Sequence, residues 1–202
     1  SISDTILSWS EEEKLTKLQK LELPTLSILV PIFNAEEYLA SKLQNLIQVL
    51  DGVENIEVIL SINRSSDSTE RMVREIIQDL PDNFEVFFQP EFLEGSNQFR
   101  WLTEHARGIW VMFSAVDDFL EKESLTGISA FLQDHSKNEF FSGAWRYTPA
   151  LHGNNPIKLG LAGETNERLA EILQNIRVSH GVFYSIQSKE IWTKFWQIFQ
   201  TH

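Results

Sequence analysis

The sequence predicts an α/β fold, a mostly parallel sheet with helices on both faces and a less regular C-terminal half, and three observations carry that expectation. An apolar run, Leu26-Ser27-Ile28-Leu29-Val30, stops at Pro31 and an amphipathic pattern restarts behind Asn34, as when a strand runs into a helix through a short polar turn. Strand-like and helix-like patterns then alternate as far as about residue 133, the signature of parallel strands joined by helices. Finally, 202 residues of which 42% are hydrophobic and 11% aromatic can bury the core of one domain.

Taken in order, residues 1–24 read as an acidic helix or linker, with Ser8 and Glu11 spaced as a capping box, Leu15 and Leu18 on one face and Pro24 as its stop. Residues 25–202 form the main domain. Behind Asn34, Leu39, Leu43, Leu46, Ile47 and Leu50 mark the apolar stripe of the first helix, for which Asn34 is a possible N-cap. A strand is expected at Ile56–Ile62, then a helix at about Ser68–Leu80 with Met72, Val73, Ile76 and Ile77 inward and Asp67 and Glu70 spaced as a capping box. A strand at Phe84–Phe88, a short helix around Gln98–Ala106, a strand at Ile109–Phe113 and a helix at about Ser124–Gln133 complete the regular half. Beyond Asn138 the pattern gives Phe140–Tyr147, an irregular Gly/Asn/Pro segment to Gly163, a helix at about Asn166–Ile176, a strand at Val182–Ile186 and a last helix from Lys189.

Composition narrows the function classes. With 29 acidic against 17 basic residues and a net charge of −12, no Lys/Arg-rich run offers a surface for a polyanion, so nucleic acid is not an expected partner. The absence of cysteine excludes disulfides, thiolate zinc sites and cysteine nucleophiles, and fits a reducing, cytoplasmic setting. The apolar stretches are strand-sized, so no transmembrane segment is expected, and the N-terminus lacks the basic and apolar regions of a signal peptide. A start at Ser1 and an end within an apolar helical pattern at His202 read as a piece of a longer protein, truncated at the C-terminus.

The turn behind Pro31 is the first candidate site, because ligands of open α/β sheets bind where the carboxyl ends of strands meet helix N-termini. The stretch Pro31, Phe33, Asn34, Glu36, Glu37 and its Leu-rich helix resembles the opening of family-2 glycosyltransferases. A second segment, Ser61-Ile62-Asn63-Arg64-Ser65-Ser66-Asp67-Ser68-Thr69, is similar to that family's Asp-Asn/Asp-x-Ser-x-Asp-x-Thr, with Ile62 where the first acid usually contacts the donor base. The strongest resemblance runs from Phe99 through Ala106, Gly108 and a buried strand to Asp117 and Asp118, where many members carry Asp-x-Asp-Asp and Ala115 here replaces the first Asp.

What the resemblance implies is a GT-A-like, Rossmann-like domain that transfers a sugar from a nucleotide-diphosphate donor to a saccharide, glycolipid or glycoprotein hydroxyl, with inversion and metal assistance, in polysaccharide biosynthesis. It places Pro31, Phe33, Asn34, Glu36, Asn63, Ser65 and Arg100 at the donor, and Asp117 and Asp118 at Mg²⁺ or Mn²⁺. The acidity of the chain points the same way, since carboxylates repel a diphosphate unless a divalent cation sits between them. His180-Gly181-Val182-Phe183-Tyr184-Ser185-Ile186 resembles a strand found late in part of the family, though the Arg that often follows it is absent. His180 and the aromatic group Trp145, Tyr147 and His152 are candidates for the acceptor side, and equally for a strand cap and core residues.

The family's catalytic carboxylate is expected after the late strand, where this chain offers Glu190 alone, so no catalytic residue is assigned and a place beyond His202 stays open. The alternative is a catalytically silent domain of the same fold, binding carbohydrate or nucleotide, or scaffolding, among the other domains of a larger protein. A nucleotidyltransferase would need a Gly-rich basic loop after the first strand, where Asn34, Ala35 and two glutamates stand instead.

Overall fold

The computed structural model describes residues 23–134 and 186–199. Four parallel strands, β1 (Leu26–Ile32), β2 (Ile56–Ile62), β3 (Phe84–Phe88) and β4 (Trp110–Phe113), form one sheet with the short antiparallel β5 (Gln187–Ser188), in the order β3-β2-β1-β4-β5. The helices are α1 (Leu39–Leu50), α2 (Thr69–Ile76), α3 (Gly95–His105), α4 (Lys122–Asp134) and α5 (Lys189–Phe199). Residues 1–22 of the expected N-terminal helix, and the expected elements over residues 140–185, lie outside the described residues.

Helices cover both faces of the sheet, which is why its strands read as continuous apolar runs. Successive strand residues face opposite ways. Ile28, Val30 and Ile32 of β1 and Trp110 and Met112 of β4 pack on one face with Leu39, Leu43 and Leu46 of α1, Val73 of α2 and Leu125 of α4. Leu29, Val111 and Phe113 pack on the other with Leu102 of α3 and Ile191, Trp192, Phe195 and Trp196 of α5. Trp192 meets Phe113 edge-on at 5.2 Å, and Trp196 Nε1 donates to the Thr103 hydroxyl at 3.0 Å. Each such buried side chain contributes about 1.5–3 kcal/mol.

Several boundaries differ from the sequence expectation for local reasons. The first helix begins at Leu39, because Asn34 sits at φ +46° and Ala35 accepts from the N–H groups of Tyr38 and Leu39, so a turn intervenes and Asn34 is not its N-cap. The second helix stops at Ile76, passes into a 3₁₀ turn (Ile77–Asp79) and ends at Leu80, extended before Pro81 as a residue preceding proline tends to be. The third starts at Gly95, ahead of the expected Gln98, with the Gln98 N–H donating to Glu94. Residues 182–185 of the expected late strand lie outside the described residues; among those described, Gln187–Ser188 pairs with Trp110 and Val111, and the last helix starts at Lys189 as expected.

At the amino edge of the sheet a buried polar clamp sets the spacing of β1, β2 and the loop before β4. Glu57 Oε1 accepts from the Ser27 hydroxyl (2.5 Å) and the Arg107 N–H (2.7 Å), and Oε2 accepts from Arg107 Nε (2.7 Å). Gly108 donates to Ser27 Oγ at 2.8 Å, and a Cβ there would lie 2.6 Å from Ser27 Oγ and 2.7 Å from Ser27 N. Only glycine permits that approach. Gly108→Ala should therefore cost about 1–3 kcal/mol in urea unfolding, whereas Gly127→Ala in α4, with nothing within 4 Å of its Cβ, should gain about 0.5–1 kcal/mol; equal effects would refute the packing account.

Candidate functional site

The strand order places β1 between β2 and β4, so the chain leaves β1 toward one side for β2 and β3 and returns on the other side for β4. Connections diverge at this point, beyond the carboxyl ends of the strands, which is where open α/β sheets place a ligand crevice. The ladder between β1 and β4 ends at Leu29 opposite Phe113, while that between β1 and β2 continues to Ile32 opposite Ile62. Ser114 donates to the Leu29 carbonyl, so Leu29 and, two residues on, Pro31 turn their peptides toward β4. Pro31 is tolerated in a central strand because β4 has ended where its missing N–H would point.

The turns after β1 and β2 are tied together by reciprocal bonds. The Asn34 N–H donates to Ser65 Oγ (3.0 Å) and Asn34 Oδ1 accepts from the Ser66 N–H (2.8 Å). The Glu36 N–H donates to Asp67 Oδ2 (3.1 Å), and Glu36 Oε2 accepts from the Ser68 N–H (2.9 Å). Ala35 donates to Thr69 Oγ1 at 2.7 Å. The capping partner of Asp67 is thus Glu36 from the other turn; Glu70, expected in that role, pairs with Arg74 at 2.8 Å and Arg64 at 3.6 Å. Burial opposes ionisation of Asp67, but bonds from Thr69 and the Glu36 N–H hold its carboxyl below the usual range.

Asn63 is buried and its amide is spent on the chain: Oδ1 accepts from the Leu93 N–H (2.9 Å), and Nδ2 donates to the Leu93 carbonyl (2.7 Å) and to Gln98 Oε1 (3.3 Å). Gln98 and Gln89 in turn donate to Ser61 Oγ. This network fixes the loop after β3, whose Phe92 stands 5.3 Å from Phe33; both rings are exposed, at 55% and 45%. Ile62, read from the sequence as standing in a base-contact position, is buried in the core, so an acid there would face apolar side chains rather than a ligand.

At the same edge, the segment after β4 is gripped by α1. Lys42, fully buried, donates from Nζ to Ser114 Oγ (2.6 Å) and to the Asp118 carbonyl (2.7 Å). Asn45, one turn on, accepts from the Leu120 N–H and donates to the Leu120 carbonyl, both at 2.9 Å. Burial brings the Lys42 ammonium down to about 8 against the pull of Asp118 and Asp117, and burial with the neighbouring Asp117 raises Asp118. Asp117 is exposed and Asp118 half-buried. Among the described residues no group of three or more His, Asp or Glu could hold a metal unaided. Two adjacent carboxylates suit a cation that completes its shell with phosphate oxygens and water, as Mg²⁺ commonly does.

Of the residues singled out from the sequence, Pro31, Phe33, Asn34, Glu36, Asn63, Ser65, Asp117 and Asp118 all come to this edge. Arg100 stands on α3 and its ion pair is with Glu104, one turn on along the same helix, at 3.7 Å. Glu190 lies in the first turn of α5 beside β5, whose Ser188 pairs with Trp110 at the start of β4, the far end of that strand from Asp117. Trp145, Tyr147, His152 and His180 lie outside the described residues. Sequence reasoning missed Lys42, Asn45, Gln89 and Gln98. For Lys42 a signal existed: it interrupts the apolar stripe of Leu39, Leu43 and Leu46.

The lowered Asp67 pKa has a checkable sign. Its contribution is present above the unfolded carboxyl value and lost as pH falls through the folded one. Asp67→Asn should lower the urea midpoint at neutral pH, and the difference from the parent should shrink toward zero as the pH falls through the folded carboxyl value. A deficit that persists unchanged in acid would rule out the charge as its origin.

Residues 27–188 match the family described as Glycosyl transferase family 2. Over 113 residues the chain is 29% identical to the minor teichoic acid biosynthesis protein GgaB of Bacillus subtilis (strain 168), covering 56% of this chain and 12% of that protein. The crystal structure of S. aureus TarS superposes with a TM-score of 0.56 at 21% identity, over 82% of this chain and 28% of that one. The mannosyltransferase PcManGT from Pyrobaculum calidifontis, solved with GDP-Man and Mn²⁺, gives a TM-score of 0.52 at 19% identity, over 62% of this chain and 36% of that one. At these identities the two structures share the fold, and the chain spans a minor part of each protein's length.

Proposed function

The chain belongs to glycosyl transferase family 2, and from that membership we propose that it binds a nucleoside-diphosphate sugar at the carboxyl edge of its sheet and takes part in sugar transfer to a hydroxyl acceptor, as one part of a larger polysaccharide-building protein. The observation that carries this reading is that an exposed aromatic pair, Phe33 and Phe92, and the exposed Asp117 follow strands that all end at the carboxyl edge of one sheet.

Phe33 and Phe92 offer faces on which a nucleobase stacks, and such stacking is worth about 1–3 kcal/mol per base. Asn63 acts here as a brace, holding the Phe92 loop through Leu93. The cross-tied turns at Asn34 and Ser65 stand where the ribose would follow. Asp117, with Asp118 beside it, would hold Mg²⁺ or Mn²⁺, which when bound supplies positive charge to a departing diphosphate. In inverting transfer the acceptor oxygen bonds to the anomeric carbon as the bond to the diphosphate oxygen breaks, and the hydroxyl proton passes to a carboxylate base. Glu190, at the opposite end of β4 from Asp117, is poorly placed for that role. The second reading, favoured by Ala115 standing at the place of the family's first Asp, is a catalytically silent domain of the same fold that binds the donor.

Calorimetric titration with uridine and guanosine diphosphates, with Mn²⁺ and with chelator, tests the donor site. Binding of either nucleotide should strengthen with Mn²⁺. Asp117→Asn should remove at least about tenfold of that affinity, roughly 1.4 kcal/mol, and leave the melting temperature within about 2 °C. Unaltered Mn²⁺-dependent affinity in that variant would refute the assignment.

A further inference from the structure

A fully buried lysine is uncommon, because an ammonium removed from water must recover its hydration from fixed partners. Lys42 sits on the inner face of α1, among Leu39, Leu43 and Leu46, where an apolar side chain would complete the stripe. Its Nζ reaches the segment after β4 at two points, the Ser114 hydroxyl and the Asp118 carbonyl. The Asp118 N–H donates to Ala115 at 3.2 Å, so these contacts clasp both ends of the tight turn that carries Asp117. Tethering alone does not call for a charge: Asn45 tethers Leu120 from the same helix with a neutral amide. The charge is placed where the acids are.

We propose that Lys42 is a positioning residue for the acidic turn: by holding Ser114 and the Asp118 carbonyl from beneath, it fixes the orientation of Asp117 and so sets the cation-dependent affinity for the donor diphosphate. The proposal rests on the donor reading above and extends it to a side chain that touches neither cation nor nucleotide. Partners that orient a metal-binding side chain from behind typically govern affinity by about 10- to 100-fold. Ser114, already bonded through its N–H to Leu29 of β1, anchors the clasp to the sheet.

The test is the ratio of nucleotide affinity in Mn²⁺ to that in chelator, measured by calorimetry on the 202-residue chain with uridine and guanosine diphosphates. Lys42→Met, close in length and apolar, should reduce that ratio by about 10-fold or more, and Ser114→Ala, which removes one of the two contacts, should reduce it in the same direction. Lys122→Met deletes a more exposed lysine at the start of α4 and should leave the ratio unchanged, separating position from net charge. A core-filling role would lower the melting temperature of Lys42→Met without moving the ratio, and that outcome overturns the proposal. If Lys42→Met does not fold, an unchanged ratio in Ser114→Ala overturns it. If the unsubstituted chain binds nucleotide with no response to Mn²⁺, the cation-assisted donor reading fails first and this proposal falls with it, a result that the variants alone cannot produce.

Discussion

Unequal pairing of the central strand is the constraint on which the rest of this molecule depends. β1 is bonded to β2 along its whole length but loses β4 at Leu29, so the last three residues of β1 run on with a neighbour on one side only. Beyond that point backbone groups need partners that the sheet no longer supplies, and buried backbone polar groups are rarely left unpaired. The turns at the carboxyl edge supply them with side chains: Asn34 and Glu36 to the turn after β2, Asn63 to the loop after β3, Lys42 and Asn45 to the segment after β4. The bracing of the carboxyl edge is therefore one consequence of where a strand stops.

The braces differ in kind, and the difference tracks what each one holds. Asn63 and Asn45 each present an amide that imitates a peptide, giving and taking one bond with a single residue of the loop opposite. Such neutral pairs contribute about 0.5–1.5 kcal/mol per bond, and leaving one half unmet costs more than the bond itself gives. Lys42 is another matter. Its burial is opposed by desolvation and offset by two hydrogen bonds and two nearby carboxylates, so the turn that carries Asp117 is held by a charge rather than a dipole.

The carboxyl edge carries two kinds of surface. Phe33 and Phe92, after β1 and β3, are aromatic and uncharged; Asp117 and Asp118, after β4, are acidic. A chain with a net charge of −12 that is to bind a diphosphate needs both a surface that attracts without charge and a point where a cation is welcome. At the amino edge, by contrast, the Glu57 carboxylate is met by Ser27, Arg107 and Gly108, and Arg107 reaches on to Glu85 at 2.7 Å, so that edge ties strands together.

The sequence by itself determined the α/β class, the elements of the regular half and the turns on which the site would be built. Those properties are written in periodicities of two and 3.6 residues, in Pro31 and Pro81, and in Gly108, all of which act over a few neighbours along the chain. Which side chains face the ligand edge was not legible in the same way. Ile62 and Asn63 are adjacent, yet the pleat sends the first into the core and the second into a brace for Leu93. Glu36 rather than Glu70 completes the cap at Asp67, across 31 residues of sequence, and Lys42 finds Asp118 across 76. Pairings of that length are set by strand order and register, which arise from the summed burial of the whole sheet and leave no local mark. Tertiary structure alone decided them, because a hydrogen bond between distant residues is chosen by the packing that brings them within 3 Å and not by the residues themselves.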